Sequence, residues 1–162
     1  MAKVKAVPEG FRTVTPHLVI DGASDAIEFY KRAFGAKENS RMPAPDGKKL
    51  WHAEMTIGDS RIMLADSFPE MGGGPSPKAA GGSTVVVHLY VPNCDAVFQQ
   101  AVGEGAKALM PPTDMFWGDR YGQIEDPYGH VWALATHVRD MTAKEMKREM
   151  QKMFAQQGAA EA

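Results

Sequence analysis

The stretch His17-Leu18-Val19-Ile20 is met again as His88-Leu89-Tyr90-Val91, an offset of 71 residues. Around it the echo continues at an offset of 70: Asp25-Ala26-Ile27 with Asp95-Ala96-Val97, Gly35-Ala36-Lys37 with Gly105-Ala106-Lys107, and Leu64-Ala65 with Leu134-Ala135. A register that slips by one residue over so many landmarks marks an internal duplication, and a duplication fixes architecture before local propensity does. The period is too long, and the copies too few, for a solenoid. Two like halves set against each other enclose a cavity, and function is expected there.

Local signals give both halves the same order. Thr13 to Ile20 reads as a strand with apolar residues on both faces. Asp21-Gly22 turns the chain, and Ser24 is placed to cap a helix running to Phe34. Ile27, Tyr30 and Phe34 share one face of it, and Gly35 supplies a left-handed stop. Lys37 to Met42, Leu50 to Ile57 and Arg61 to Asp66 follow as strands, separated by the turn signals Pro43-Ala44-Pro45-Asp46-Gly47 and Gly58-Asp59. In the second half, Ser83 to Val91 is a strand, Asn93 or Asp95 caps a helix, and Gly105 ends it. Lys107 to Met110, a segment around Tyr121 to Glu125, and Val131 to His137 complete the set.

The fold class is therefore α+β: two tandem βαβββ modules, 13–66 and 83–138, forming a half-barrel cavity within one domain, 13–138. Residues 67–82, rich in Gly and Pro, read as a mobile connector. Their glycines lack the GxxxxGK[ST] spacing of a phosphate loop. A helix over 140–157 is appended. Thr142-Ala143-Lys144-Glu145 matches a capping box, with Met141 and Met146 as its hydrophobic staple. Met146, Met150, Met153 and Phe154 then form an apolar stripe that covers either the body of its own chain or a second subunit.

Composition narrows the class of function. The 162 residues, 44% hydrophobic, can bury a substantial core. A net charge of −2 and the lack of any basic run argue against nucleic acid as a partner. The opening Met1-Ala2-Lys3-Val4-Lys5 is unlike a signal peptide, and no stretch approaches the ~18 apolar residues of a membrane span. A single cysteine, Cys94, excludes an internal disulfide and points to a reducing compartment, so a cytoplasmic location is expected.

Strand alternation nominates the chemistry. His17 and His88 occupy equivalent places on the mixed faces of the first strand of each half, and those faces are expected to look into the cavity. Two imidazoles meeting there either ligate a metal or line a pocket, and the outcome turns on a third ligand. His52-Ala53-Glu54 matches Gln123-Ile124-Glu125, so Glu54 or Glu125 completes a histidine–carboxylate site, acts as a general base, or stays a surface polar group. Met115-Phe116-Trp117-Gly118-Asp119-Arg120-Tyr121-Gly122 concentrates three rings and a cation between glycines, the content of a small-molecule pocket rim. With Tyr90, the ligand-contact set is His17, His52, His88, Tyr90, Trp117, Arg120, Tyr121 and Gln123.

Tandem βαβββ halves, the helix Ala26-Ile27-Glu28-Phe29-Tyr30 ending in Phe34-Gly35, and the turn Asp126-Pro127-Tyr128-Gly129-His130 resemble the vicinal oxygen chelate superfamily of glyoxalase I, bleomycin-resistance proteins and extradiol dioxygenases. His52-Ala53-Glu54-Met55, Tyr90-Val91-Pro92-Asn93 and Trp117-Gly118-Asp119-Arg120-Tyr121-Gly122 are similar, more narrowly, to its PhnB-like branch. The resemblance implies a homodimer, sometimes with pockets shared between chains. It places the family's metal positions on Thr15, Met63, Val86 and Ala133, of which the last three are not plausible ligands.

Three readings follow. The first is a protein that binds a small organic molecule in the cavity without the usual metal. The second is a lyase, isomerase or dioxygenase in which His17 and His88, with Glu54 or Glu125, hold a displaced divalent ion such as Zn, Ni, Mn or Fe. The third is a scaffold whose terminal helix binds a partner.

Overall fold

In the computed structural model, which describes residues 4–160, the first half of the chain runs β1 (His17–Ile20), α1 (Ala23–Phe34), β2 (Lys37–Pro43), β3 (Leu50–Ile57) and β4 (Ser60–Asp66). A short 3-10 turn (Pro69–Met71) and α2 (Pro77–Ala80) occupy the connector. The second half runs β5 (Val86–Tyr90), α3 (Cys94–Gly103), β6 (Lys107–Asp114), β7 (Asp119–Glu125) and β8 (Val131–His137), and α4 (Ala143–Ala160) follows. Two sheets form, ordered β1-β4-β3-β2 and β5-β8-β7-β6. In each, the first strand pairs parallel with the last and the other neighbours are antiparallel. The α+β class, the duplicated βαβββ order and the appended helix are all present.

Alternation decides which face each sheet covers. Along β3, buried Ala53, Met55 and Ile57 alternate with half-buried His52, Glu54 and Thr56. Along β1, Leu18 and Ile20 are buried while His17 is exposed, and along β5 half-buried Val87 and Leu89 alternate with exposed Val86, His88 and Tyr90. The apolar faces lie beneath the helices, and the mixed faces stay open. Helix α1 contributes Ala26, Ile27, Tyr30 and Ala33 to the core, all within 1% of full burial. A large apolar side chain buried this far stabilises by about 1.5–3 kcal/mol. The core is continuous across the modules, because Trp132 of β8 packs 5.3 Å from Tyr30 and 4.8 Å from Phe34 of α1.

The helix starts show how the duplicated halves have diverged. Gly22, not Ser24, stands at the cap of α1, in a left-handed conformation with φ 91°. Ser24 instead accepts a hydrogen bond from Arg41 Nη1 at 3.1 Å. The N–H groups of Gly22 and Ala23, which the helix itself leaves without acceptors, donate to Asp66 Oδ1 at 2.8 and 3.1 Å, and Leu50 N donates to Asp66 Oδ2 at 2.7 Å. Seventy residues later the matching position is Thr136, whose hydroxyl accepts from Cys94 N at 2.8 Å at the start of α3. Asn93 caps α3 as its sequence suggests, accepting from Ala96 N at 3.0 Å.

Boundaries move where backbone donors are missing or diverted. Strand β1 begins only at His17, after Pro16, which has no N–H for the ladder. Strand β5 begins at Val86, because Ser83 Oγ engages both the N–H and the carbonyl of Val85 in a local turn. Strand β6 continues past Met110 through Pro111 and Pro112 to Asp114. It can do so because it is an edge strand and its register shifts between Met110 and Thr113.

The connector, expected to be mobile, is instead fastened. Ser76 is fully buried and its hydroxyl bonds Asp21, while Ser67 N donates to Ile20 O at 2.9 Å. At the other end, Thr142 and Glu145 close the capping box of α4: Thr142 N donates to Glu145 Oε2 at 2.8 Å and Glu145 N to Thr142 Oγ1 at 3.3 Å. Met146, Met150 and Met153 are half-buried, and Met153 shares a cavity wall with Met115 and Phe116 of its own chain. Among the described residues, no helix is long and apolar enough to cross a membrane.

Candidate functional site

On the open face of the first sheet, His17 of β1 and Glu54 of β3 both lie beside Met63 of β4. The rings of His17 and His52 meet edge-to-face with centroids 5.9 Å apart. His52 Nε2 lies 3.6 Å from Glu54 Oε1, and Arg61 Nη1 donates to Glu54 Oε2 at 3.2 Å. Arg61 in turn lies 4.7 Å over the Phe11 ring. Glu54, nominated as a base, is thus held by a cation. Partial burial of the ring, and then the neighbouring His52, hold the His17 imidazole below its ordinary pKa and so favour its neutral form.

The open face of the second sheet is richer. His88 lies beside Ala133 and Gln123 beside the same alanine, while Tyr90 and Tyr121 flank Ala135. The His88 ring stands 4.7 Å from Tyr90 and 5.9 Å from Tyr121, and Trp117 is 5.6 Å from Tyr121. Gln123 Nε2 donates to the Tyr121 hydroxyl. Beneath these rings sits Asp119, only 4% exposed. Its Oδ2 accepts from Trp117 Nε1 at 3.0 Å and from the Tyr90 hydroxyl at 3.3 Å, and its Oδ1 lies 2.7 Å from His137 Nδ1. His137 Nε2 is 3.0 Å from Asp140. Hydrogen bonds to Asp119 and then Asp140 raise the His137 pKa, and the Asp119 charge raises that of Tyr90.

Two nominated residues land elsewhere. Arg120 alternates with Asp119 and Tyr121 along β7, which turns it to the other side of the strand. There Nη2 bonds Asp95 Oδ1 at 2.7 Å and Nη1 bonds Asp114 Oδ1 at 3.1 Å, pinning the start of α3 to β6. Glu125 ends β7 between Lys107 and Val131, on a different sheet from Glu54. Conversely, the Asp119–His137 pair was missed. Eighteen residues separate the two in sequence, and only the β7–β8 register, which sets Asp119 opposite His137, brings them together.

The donor set does not fit a divalent ion. His17 has Met63 beside it and His88 has Ala133, neither a suitable ligand. The two cavities bordered by His17 do not include His88, and the cleft bordered by His88 does not include His17. Among the described residues, no three His, Cys, Asp or Glu side chains are grouped to hold a metal. Cys94 is no better placed for covalent chemistry: it is buried, its thiol donates to Leu134 O at 3.2 Å, and burial raises its pKa.

The modules are separated by a cleft of about 580 Å³. Val14, Ile57, Arg61 and Ile62 line the first-module side, and His88, Leu89 and Tyr90 the second. Size and lining are those of a small-molecule pocket, apolar walls with a few polar groups.

Residues 13–134 match the model of the Glyoxalase/Bleomycin resistance protein/Dioxygenase superfamily, and the chain belongs to that family. An uncharacterized protein of Mycobacterium bovis, Mb0911c, is 45% identical over 139 residues, which cover 85% of this chain and 91% of the relative. The crystal structure of TioX from Micromonospora sp. ML1 superposes with a TM-score of 0.60 at 27% identity, covering 81% of this chain and all of that one (100%). A PhnB protein from Bacillus cereus shares the fold with a TM-score of 0.60 at 21% identity, over 77% of this chain and 99% of its own.

Proposed function

We propose that this protein binds a small organic molecule in the cleft between its modules, without the metal ion usual in the family. The observation that carries the reading is the cleft itself: apolar walls from both modules, with His88 and Tyr90 on one side and Arg61 on the other. Tyr121, Trp117 and Gln123 continue that polar, ring-bearing surface away from the cleft. A mostly apolar molecule with a polar end directed at His88 and Tyr90 suits it.

Exposed Val85, Val86 and Tyr90, at 64%, 47% and 67%, leave an apolar rim that a second copy would cover, so the working form is a homodimer. The protein acts in the cytoplasm, where a lone buried cysteine stays reduced. A thermal-shift screen of uncharged and anionic small molecules tests the proposal, with Tyr90→Ala and His88→Ala as controls. Hits that stabilise the wild type and lose their effect in both variants support it. Hits indifferent to both substitutions, or stoichiometric Zn, Ni, Mn or Fe in protein purified without chelator, overturn it.

A further inference from the structure

A second cavity, of about 370 Å³, lies at the far end of the first sheet's open face, beneath the loop that follows β4. Its wall is built, not incidental. Phe68 stacks on Trp51 with centroids 4.5 Å apart and planes 19° from parallel, and Lys49 Nζ sits 4.9 Å from the Phe68 centroid. Lys49 also donates to Ser67 O at 2.9 Å, which holds its ammonium beside the Phe68 ring.

The loop is tied back on itself. Gly73 N donates to Phe68 O at 3.1 Å, and Ser67 Oγ donates to Gly74 O, also at 3.1 Å. A side chain at Gly73 would bring its Cβ to 3.0 Å from the Phe68 carbonyl oxygen, a tight contact that the loop could accept only by giving way by a few tenths of an ångström. Met71, 63% exposed, forms the open rim. A flexible thioether at a pocket mouth adapts to aromatic faces and edges.

The polar groups in the wall select the guest. Asp66 is buried there with both carboxylate oxygens already accepting from backbone N–H groups, and Lys49 is engaged by Ser67 O and the Phe68 ring, so the wall holds no free charge to pair with an ionic guest. His17 borders the cavity and has no hydrogen-bond partner among the described residues, whereas His52 beside it is close to Glu54. A neutral imidazole can give or take one hydrogen bond. The volume lies near the low end of ligand pockets, about 300–1,000 Å³.

We infer that the cavity under the 67–74 loop is a second small-molecule site, taking an uncharged flat ring compound that offers one hydrogen-bonding group to His17. The site does not depend on the inter-module cleft. The test uses the full chain, carbon-13 labelled at methionine methyls and histidine rings, titrated with indole as an uncharged ring and with benzoate as an anionic one. Indole is expected to move the Met71 and His17 signals together and saturably, with benzoate at least tenfold weaker. Phe68→Ala and, separately, the exposed-site change His17→Ala are each expected to weaken indole at least fivefold, and Tyr90→Ala to leave it unchanged. Met71 and His17 signals that stay still up to millimolar indole overturn the assignment. So does indole binding that survives His17→Ala undiminished, or that is lost with Tyr90→Ala, which would put the probe in the cleft.

Discussion

The Tyr30 hydroxyl donates to Asp126 Oδ2 at 2.7 Å, joining a helix of the first module to a turn of the second across 96 positions of chain. Trp132 Nε1 donates to the same oxygen at 2.9 Å, and Asp126 Oδ1 accepts from the N–H groups of Tyr128 and His130 at 2.9 Å each. His130 then reaches back to the first module, its Nε2 3.0 Å from Val19 O. Tyr30, Asp126, Trp132 and His130 are buried, and burial and the Asp126 charge raise the Tyr30 pKa well above its ordinary value. Tyr30→Phe keeps the ring packing and removes one bond to a charged acceptor. The expected loss is about 1.5–3 kcal/mol of unfolding free energy. Urea denaturation measures it, and a variant as stable as the wild type would show that Asp126 is not what locks the modules together.

Gly118 carries a second structural demand. Its φ is 100°, its carbonyl accepts from both Val138 N and Arg139 N at 3.0 Å, and a Cβ there would overlap the Arg139 carbonyl oxygen. Gly118→Ala is expected to cost about 1–3 kcal/mol and to loosen the base of α4. Gly47→Ala serves as the comparison: its φ is 66° but no atom lies within 4 Å of the added methyl, so only the left-handed strain of about 1–2 kcal/mol applies. Limited trypsin digestion at Arg139 should accelerate in the first variant and not in the second.

His137 should titrate above the ordinary histidine value of about 6.5, because Asp119 and Asp140 stabilise its charged form. The folded pKa is raised, so its stabilising contribution is complete below the unfolded pKa and fades as pH rises through the folded value. Proton NMR of the imidazole reads the midpoint directly. Asp119→Asn should bring it down, and an unchanged midpoint in that variant would remove Asp119 as the cause.

The divergent helix anchors predict unequal losses. Asp66→Asn places an amide donor against either Leu50 N or the pair Gly22 N and Ala23 N, leaving at least one buried N–H unmatched, at a cost of about 1–3 kcal/mol. Thr136→Val removes both the acceptor of Cys94 N and the donor to Val91 O, but at a half-buried site, and should cost less, about 1–2 kcal/mol. Equal midpoints for the two variants in chemical denaturation would contradict the asymmetry.

Much of the fold was legible because alternation and duplication are local, redundant signals. Strands β3 and β8 fall on Leu50–Ile57 and Val131–His137 as their patterns suggest, and Gly35 stops α1 with φ 65°. What alternation cannot carry is register across the sheet and the pose of one module on the other. It put His17 and His88 on open faces, yet it could not say that they border different cavities. For the same reason nothing local announces that strand register gives Asp119 His137 as its partner. The connector misled differently. Its glycines signal turns, but whether turns are loose or strapped depends on partners such as Asp21 for Ser76, far off in sequence.

One outer strand of each sheet, β6 in the second and β2 in the first, leaves little room for growth on its side. Strand β6 presents Pro111 and Pro112, which withhold the N–H groups that an incoming strand would need. Strand β2 presents Lys37, Glu38 and Arg41, whose charges oppose stacking of identical borders. Copies of this molecule that meet at β2 or β6 must therefore do so broadside, through side chains, and not by lengthening either sheet on that side.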